Sequence, residues 1–309
     1  MTAPGSPTLG PPLGEPVAVV PGGDSWDRVR EDLATHGTAL VYARLKDLEP
    51  VLPTGDGLRE LLGRDWTRFL DLTHADVRGR YIASRMLLKY AAGAVLASEP
   101  ADLELAYGPT GRPYLRGCDQ IDISLSHTED LLLVGLTTCG LIGVDAERAD
   151  REMYGSGLGR HICTPYELVL LSGMPEEERN GALVRLWTLK EAYSKAIGQG
   201  MQFRFTEFGF GPDGRPVRVQ RPDGTAGTGD EWIFRTFPLA DGYVVSAAVY
   251  DAGFGRLQDA HVTTMLDQDC VDAITEALGG GSPGRGPGED QGGGAAAGPP
   301  ESNSCRAAL

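Results

Sequence analysis

The segment Leu141-Ile-Gly-Val-Asp-Ala-Glu147 constrains the fold most, because an apolar strand-like run ends here in two acids. Alternate side chains of a β-strand share one face, so Asp145 and Glu147 project the same way, roughly 6.6 Å apart along the backbone. Two like charges at that spacing favour a cation between them. Two solvated acids at a strand end are the commoner alternative. The apolar residues before them favour the first interpretation, because unpaired charge at the edge of a core is costly.

A second motif, Trp187-Thr-Leu-Lys-Glu-Ala-Tyr-Ser-Lys195, is typical of a helix. Glu191 and Lys195 are four residues apart and therefore share a face, with Trp187 one turn earlier. An ordinary surface ion pair is one interpretation, and the adjacent Lys190 fits it. The aromatic and small residues of the motif favour a partly buried helix instead.

Together the two motifs supply three carboxylates and a lysine for one candidate site. Magnesium usually binds one or two carboxylates plus the phosphates of a substrate. Asp145 and Glu147 are therefore candidate metal ligands, and Glu191 is either a third ligand or a general base. Lys195 is suited to neutralise a phosphate or to protonate a departing one.

The middle of the chain alternates predicted helices and strands, which indicates an α+β fold. The predicted elements are a helix from Thr73 to Ala92 ended by Gly93, strands 121–126, 131–136 and 141–147, a helix beginning at Thr164-Pro165, a helix 183–197 ended by Gly198, and strands 205–210, 217–220, 232–237 and 243–250. The helices Arg80–Gly93 and Arg185–Gly198 hint at an internal repeat, although two such matches also arise by chance. A true repeat predicts two similar α/β halves around a pseudo-twofold axis, with the active site in the cleft between them.

Composition sets the predicted domain limits. Residues 1–16 and 279–309 are rich in Gly, Pro and Ala, and such segments bury too little apolar surface to offset their ordering entropy. We expect both to be disordered. The N-terminal half is then residues 17–138, and the C-terminal half with the metal site is residues 139–265.

Charge and targeting signals narrow the class of protein. The net charge of −15 argues against a nucleic-acid binder. Five scattered cysteines without metal-binding spacing indicate reduced thiols. The sequence shows neither a signal peptide nor an apolar run of the ~18 residues that a membrane span needs. We therefore predict a cytoplasmic protein without a membrane partner.

Several basic and polar residues are candidates for holding an anionic ligand. Arg78, Arg80, Arg85 and Lys89 lie in one predicted helix, and Arg112 lies in the loop Gly108-Pro-Thr-Gly-Arg-Pro113. Ser126 and His127 end the predicted strand Ser124-Leu-Ser-His127. Singly, each cation is typical of a solvated surface and a lone histidine is more often structural. Collectively they suit a ligand with several phosphates.

These residues resemble the 4′-phosphopantetheinyl transferases of the larger, Sfp-like, two-half kind. The blocks that carry the resemblance are Gly111-Arg-Pro113, Ser124-Leu-Ser-His127, Gly143-Val-Asp-Ala-Glu147 and Trp187 to Lys195. They agree with the family in order and spacing, and the resemblance covers about residues 59–250. The chain departs from the common pattern at Ser124, where the family often has Asn, and at Ala146, where a larger aliphatic residue is common.

The resemblance implies a reaction and a set of roles. Coenzyme A would bind between the halves, and phosphopantetheine would move to a serine of an acyl or peptidyl carrier protein with release of adenosine 3′,5′-bisphosphate. It implies Mg²⁺ on Asp145, Glu147 and Glu191. Glu191 would be the base and Lys195 the acid. The implied contacts to coenzyme A come from Arg80, Arg112, Ser126, His127 and Lys195.

Two other functions stay open from sequence: a non-catalytic module that binds coenzyme A or a carrier protein, and a Mg²⁺-dependent nucleotide hydrolase. We expect a monomer, because a fused two-half chain forms its site alone. An acidic carrier is expected to dock near the helix Arg78–Lys89 or on a neighbouring apolar strip. Which carrier or pathway is served is not encoded in the sequence.

Overall fold

The computed structural model describes residues 13–20, 22–200, 203–211 and 218–252. All of them lie in one compact unit, Met1–Met265, and a second unit, Leu266–Leu309, is outside the described residues. The described strands are β1 Val17–Ala18, β2 Thr38–Arg44, β3 Leu105–Tyr107, β4 Pro113–Leu115, β5 Asp122–Thr128, β6 Leu131–Thr137, β7 Gly140–Arg148, β8 Trp232–Leu239 and β9 Tyr243–Asp251. The described α-helices are α1 Ser25–His36, α2 Leu45–Leu48, α3 Gly55–Leu62, α4 Asp65–Leu70, α5 Ala75–Leu96, α6 Gly159–Ile162, α7 Pro165–Gly173 and α8 Glu176–Ala196.

The first sheet has the strand order β1-β2-β6-β5, and only β1 and β2 are parallel. Every residue of β6 is buried. Leu132 and Val134 pack in the same core as Leu87 of α5, whereas Leu131 and Leu133 pack against the second sheet. Alternation along β6 thus explains why its sequence is a continuous apolar run: both faces of the strand are covered.

The second sheet is antiparallel in the order β7-β9-β8. Ile142 and Val144 of β7 join the core shared with the first sheet. The alternate residues face α8, and this face includes Gly143. A Cβ atom at Gly143 would overlap the carbonyl oxygen of Ala192, so glycine lets α8 lie directly on the strand. The same face carries Asp145 and Glu147, and α8 therefore covers the acids that the strand presents.

Strands β5 and β7 lie side by side and are joined through side chains of β5. The Ile142 amide donates to Asp122 Oδ2 at 2.7 Å, and the Val144 amide donates to Ser124 Oγ at 3.1 Å. Because the contacts advance together along both strands, β5 and β7 run in the same direction. This junction connects the two sheets and places the residues of β5 beside the acids of β7.

The element order repeats along the chain. One strand, a long helix and a hairpin occur first as β2, α5, β5 and β6, and then as β7, α8, β8 and β9. In each set the second strand of the hairpin lies between the other two, as β2-β6-β5 and as β7-β9-β8. The predicted mixed α/β architecture is confirmed.

Several predicted element bounds were wrong. Gly93 does not end a helix: α5 continues to Leu96, and a Cβ at Gly93 would meet the Ser98 carbonyl oxygen at 2.6 Å. This glycine therefore serves close packing. Helix α8 begins at Glu176, well before the predicted start. The predicted strand 205–210 contains a 3-10 turn, Phe205–Glu207, and only an isolated bridge from Gly209 to Gln220.

One further prediction is confirmed, and others concern segments outside the described residues. The predicted helix start at Thr164 is confirmed by a capping box with Glu167. The predicted tail 279–309 and residues 1–12 of the predicted extension are outside the described residues, whereas Leu13 is 4% exposed in the core. Within the part of the chain that the structure describes, no helix is long and apolar enough to cross a membrane.

Candidate functional site

Three elements bring the predicted acids and cations together: β5, β7 and α8. The strand alternation that directs Ile142 and Val144 into the core directs Asp145 and Glu147 towards α8. Both acids are only 7% exposed. Buried carboxylates require partners, because desolvation of a lone charge is costly. Their partners come from the neighbouring strand and helix.

Asp145, Ser126 and Lys195 form a closed triangle. Ser126 Oγ donates to Asp145 Oδ1 at 2.8 Å, and Lys195 Nζ donates to the same oxygen at 2.7 Å. Lys195 Nζ also reaches Ser126 Oγ at 2.9 Å and the carbonyl oxygen of Val144 at 3.1 Å. Lys195 is therefore a part-buried cation held by β5 and β7. Its direct contacts are with these strands, which agrees with the partly buried helix that the sequence favoured over an ordinary surface ion pair with Glu191.

Glu147 is held by a second group of partners. Its Oε1 accepts from Thr128 Oγ1 at 3.1 Å and from the Arg148 amide at 2.9 Å, and its Oε2 pairs with the Arg151 guanidinium. Sequence reasoning missed Thr128 and Arg151. Thr128 lies two residues after Ser126 on the same face of β5, so strand alternation was a usable signal for it.

Glu191 of α8 is half-buried and lies near Asp145 and Lys195. Burial and the nearby charge of Asp145 raise the pKa of its carboxyl, and Lys195 opposes that rise. Asp145 and Glu191 are therefore close enough to interact, and Glu147 lies two residues after Asp145 on the same face of β7. Carboxylate oxygens of this kind are the donors that suit a hard divalent cation. Among the described residues, however, no three His, Cys, Asp or Glu side chains are already placed as a metal cluster.

His127 is exposed at the end of β5, in a positive setting. Partial desolvation of the ring, followed by the charges of Lys195, Arg80 and Arg85, lowers the pKa of its imidazole. Arg80 and Lys195 are therefore near enough to His127 to act on its charge, whereas Ser126, on the other face of β5, bonds Asp145 and Lys195 directly. Such a cluster of cations and neutral donors suits phosphate oxygens.

Arg112 lies at the opposite end of the strands from Glu147. Its guanidinium donates to both carboxylate oxygens of Asp122, to the carbonyl oxygen of Lys195 at 2.9 Å and to that of Ile142 at 2.8 Å. These four bonds occupy most of its five N–H donors. The predicted contact of Arg112 with a phosphate has at most one N–H available to it.

The prediction of an exposed basic patch on α5 is wrong for Lys89 and Arg85, two of its four residues. Lys89 is 2% exposed and donates to the carbonyl oxygen of Leu61. Arg85 is paired with Asp65 at 3.2 Å, donates to the Tyr107 hydroxyl at 3.2 Å and stacks over Tyr81. Neither cation is presented to a partner, so the predicted docking of a carrier on Arg85 loses its basis.

Helix α8 is anchored by a buried ion pair that sequence reasoning also missed. Lys190 and Glu167 are both 0% exposed, and Nζ of Lys190 lies 2.6 Å from Oε2 of Glu167. The ammonium also donates to the carbonyl oxygens of Ile162, Phe205 and Phe208, each at 2.7 Å. Because Lys190 precedes Glu191, this anchor fixes the rotation of α8 about its axis.

A groove of about 640 Å³ opens elsewhere, between the start of α1 and the end of α5. Trp26, Arg30, Tyr90 and Ala97 are among its lining residues. None of the predicted site residues lines it, and it is therefore separate from the candidate site.

Comparison with known proteins gives consistent results. Residues 141–248 match the sequence profile of the 4′-phosphopantetheinyl transferase superfamily. The chain is 30% identical over 182 residues to the 4′-phosphopantetheinyl transferase HetI of Nostoc sp., a match that covers 58% of this chain and 73% of HetI. It is 28% identical over 189 residues to a phosphopantetheinyl transferase of Thraustochytrium sp., covering 56% of this chain and 64% of that one.

A solved structure, the holo-[acyl-carrier-protein] synthase of Thermotoga maritima, is also similar at 18% identity and a TM-score of 0.30. The match covers 45% of this chain and 91% of that one. At that score the likeness carries no argument about geometry. The matched profile contains β7, α8, β8 and most of β9, and it therefore includes both motifs that supply the acids.

Proposed function

The chain belongs to the 4′-phosphopantetheinyl transferase family and is therefore an enzyme, and on that premise we propose that it moves phosphopantetheine from coenzyme A to a carrier-protein serine in a Mg²⁺-dependent reaction. The observation that carries the proposal is the convergence of Asp145, Glu191 and Lys195 in one site. Acids and a lysine so placed are what transfer of a diphosphate-linked group requires.

The proposed step is a displacement at the β-phosphorus of coenzyme A. The serine oxygen of the carrier forms the new P–O bond, and the bond from that phosphorus to the bridging oxygen breaks. Adenosine 3′,5′-bisphosphate leaves. Glu191 accepts the serine proton, directly or through water. Lys195 lies beside Asp145 and stabilises or protonates the departing phosphate.

Magnesium would be held by Asp145, Glu147 and Glu191, and when bound it would neutralise the diphosphate. The proximity of Asp145 to Glu191 and the burial of Asp145 and Glu147 on one face of β7 support this assignment. Binding requires Lys195 and Arg151 to yield part of their contacts with Asp145 and Glu147. In the described residues these ion pairs occupy Asp145 and Glu147, and the three acids are not arranged as a metal cluster.

Arg80, Ser126, His127 and Lys195 are the proposed contacts for the phosphates of coenzyme A. The electrostatic coupling of His127 to Arg80 and Lys195 supports a common site for these groups. Ser126 has a second proposed role, because its hydroxyl already bonds Asp145 and Lys195. Arg112 is kept as a contact through its remaining N–H only.

We further propose the larger, two-half subgroup, with halves 17–138 and 139–265 around a pseudo-twofold axis. The repeated element order supports this, as do two buried lysines. Lys89 of α5 and Lys190 of α8 each donate to a carbonyl oxygen 28 residues earlier, on Leu61 and on Ile162. A duplicated unit accounts for such a coincidence. A single chain would then form the whole site, as a cytoplasmic monomer.

Replacement of Asp145 by Ala tests the proposed roles. Loss of Asp145 removes the acceptor for Ser126 and Lys195 together with a metal ligand, so we expect transfer to fall below detection while the circular dichroism spectrum is retained. Tight coenzyme A binding without turnover in the wild type would instead indicate the binding module. Release of the bisphosphate without a carrier would indicate a hydrolase.

A further inference from the structure

Arg112 and Asp122 join the three elements that carry the candidate site. The guanidinium of Arg112 donates to both carboxylate oxygens of Asp122 on β5. It also donates to the backbone carbonyl oxygens of Lys195 on α8 and Ile142 on β7. Asp122 accepts a further bond from the Ile142 amide at 2.7 Å. The side chains are only 20% and 15% exposed, which limits competition from water.

The chemistry of this pair suits a rigid joint. A bidentate arginine–carboxylate pair fixes both distance and orientation, and a lysine ammonium does not reproduce that geometry. The carbonyl oxygen that Arg112 binds on α8 belongs to Lys195 itself, in the last turn of the helix, where it also accepts a bond from the Gly198 amide at 3.2 Å. The joint therefore acts on the backbone of a residue that works in the site.

We propose that Arg112 and Asp122 form a bracket that sets the spacing between β7, which carries Asp145, and the end of α8, which carries Lys195. Both are positioning residues for the reaction, and Asp122 gains a role that the sequence did not suggest. The catalytic consequence rests on the proposed function. The structural consequence, a tethered end of α8, does not.

A phosphate contact and a bracket predict different behaviour for the two partners. If Arg112 acts mainly on a phosphate, Asp122 matters little, and Arg112→Lys retains the charge that a phosphate needs. If the pair is a bracket, Arg112→Lys and Asp122→Asn break the same joint. The double variant should then be no worse than the worse single variant, because the two residues act as one unit.

The first test is steady-state kinetics with coenzyme A as the varied substrate. Displacement of reacting groups by about 1 Å costs up to about 100-fold in rate, so we expect kcat to fall by about tenfold or more in both variants. The KM for coenzyme A should change to the same extent, within about threefold, in the two variants. A KM that rises by about tenfold or more in Arg112→Lys alone, with Asp122→Asn unchanged, overturns the bracket.

The second test is hydrogen exchange measured by mass spectrometry, which needs no turnover. Peptides covering the last turn of α8 and the first residues of β7 should exchange faster in both variants. Arg44→Lys is the matched control: the Arg44 side chain is 15% exposed and pairs with Asp130 at 3.3 Å and Asp241 at 3.5 Å, both outside α8. Unchanged exchange in those peptides, or unchanged kcat, refutes the proposal. If Asp122→Asn does not fold, Asp122→Glu is measured in the same way.

The two readouts separate this proposal from the proposed function. If the wild-type protein does not transfer phosphopantetheine, the proposed function fails, and the exchange experiment still decides whether the bracket tethers α8. If transfer occurs and both variants match Arg44→Lys in exchange and in kcat, the bracket fails and the proposed function stands.

Discussion

Removal of the Lys190 ammonium should weaken the fold more than removal of any surface charge. In Lys190→Met the aliphatic part of the side chain is retained, but the three N–H donors of Nζ, which are shared among four acceptor oxygens, are lost. Glu167 then keeps two backbone donors, the amides of Thr164 and Phe210 at 2.8 and 2.7 Å, and no cation. Its carboxylate is 0% exposed, so water cannot replace the ammonium.

The expected loss of stability follows from the burial of this ion pair. Breaking a buried ion pair by removing one partner costs about 3–5 kcal/mol, and we expect the free energy of unfolding to fall by about that amount. For a domain of this size, each kcal/mol shifts the melting temperature by about 2–4 °C. The expected loss in Tm is therefore roughly 6–20 °C. Desolvation already lowers the pKa of Lys190, so part of the cost of burying this charge is present in the wild type.

Urea denaturation followed by tryptophan fluorescence measures the effect, because Trp187 and Trp232 pack in the same core as α8. Lys46→Met, at an exposed lysine of α2, is the matched control and should change stability by at most about 0.5 kcal/mol. Lys190→Met combined with Glu167→Gln should recover part of the loss, since no uncompensated charge remains. A loss under about 1 kcal/mol, or strict additivity of the two substitutions, would refute the reasoning.

Three further predictions use other features of the structure. Lys89→Met should cost less than Lys190→Met in the same denaturation assay, because the described contact of Lys89 is one carbonyl group and not a buried carboxylate; an equal or larger loss would contradict this. Gly143→Ala should impair both folding and transfer, because its Cβ overlaps the Ala192 carbonyl group, whereas Gly79→Ala, with open space in α5, should be neutral or stabilising by about 0.5–1 kcal/mol. The His127 imidazole should titrate below 6.5 by NMR, and a value above 6.5 would rule out the positive setting. Because its pKa is lowered in the folded protein, its contribution to stability is present above about pH 6.5 and is lost as pH falls through the folded pKa.

The sequence was sufficient to predict the residues whose placement follows from strand and helix periodicity. Alternation along Leu141–Glu147 correctly directed Asp145 and Glu147 to one face, and the spacing in α8 correctly placed Glu191 and Lys195 together. Thr128 was within reach of the same reasoning, because it shares the face of Ser126.

Contacts between residues that are far apart along the chain could not be predicted from the sequence. Lys89 and Arg85 were interpreted as solvated because charged residues usually are, and only tertiary packing buries them against Leu61 and Asp65. The pairing of Lys190 with Glu167, 23 residues away, leaves no periodic signal. The same is true of Arg112, whose partners lie on three different elements.

The most direct test of the central claim is the intact mass of an apo carrier protein after incubation with coenzyme A, Mg²⁺ and this enzyme. The measurement is repeated across fatty-acid, polyketide and nonribosomal-peptide carriers, with a chelator in a parallel set. We predict that at least one carrier gains one phosphopantetheine group, and that the gain disappears with the chelator or with Asp145→Ala. No gain on any carrier, or an undiminished gain in the presence of the chelator, would contradict the account.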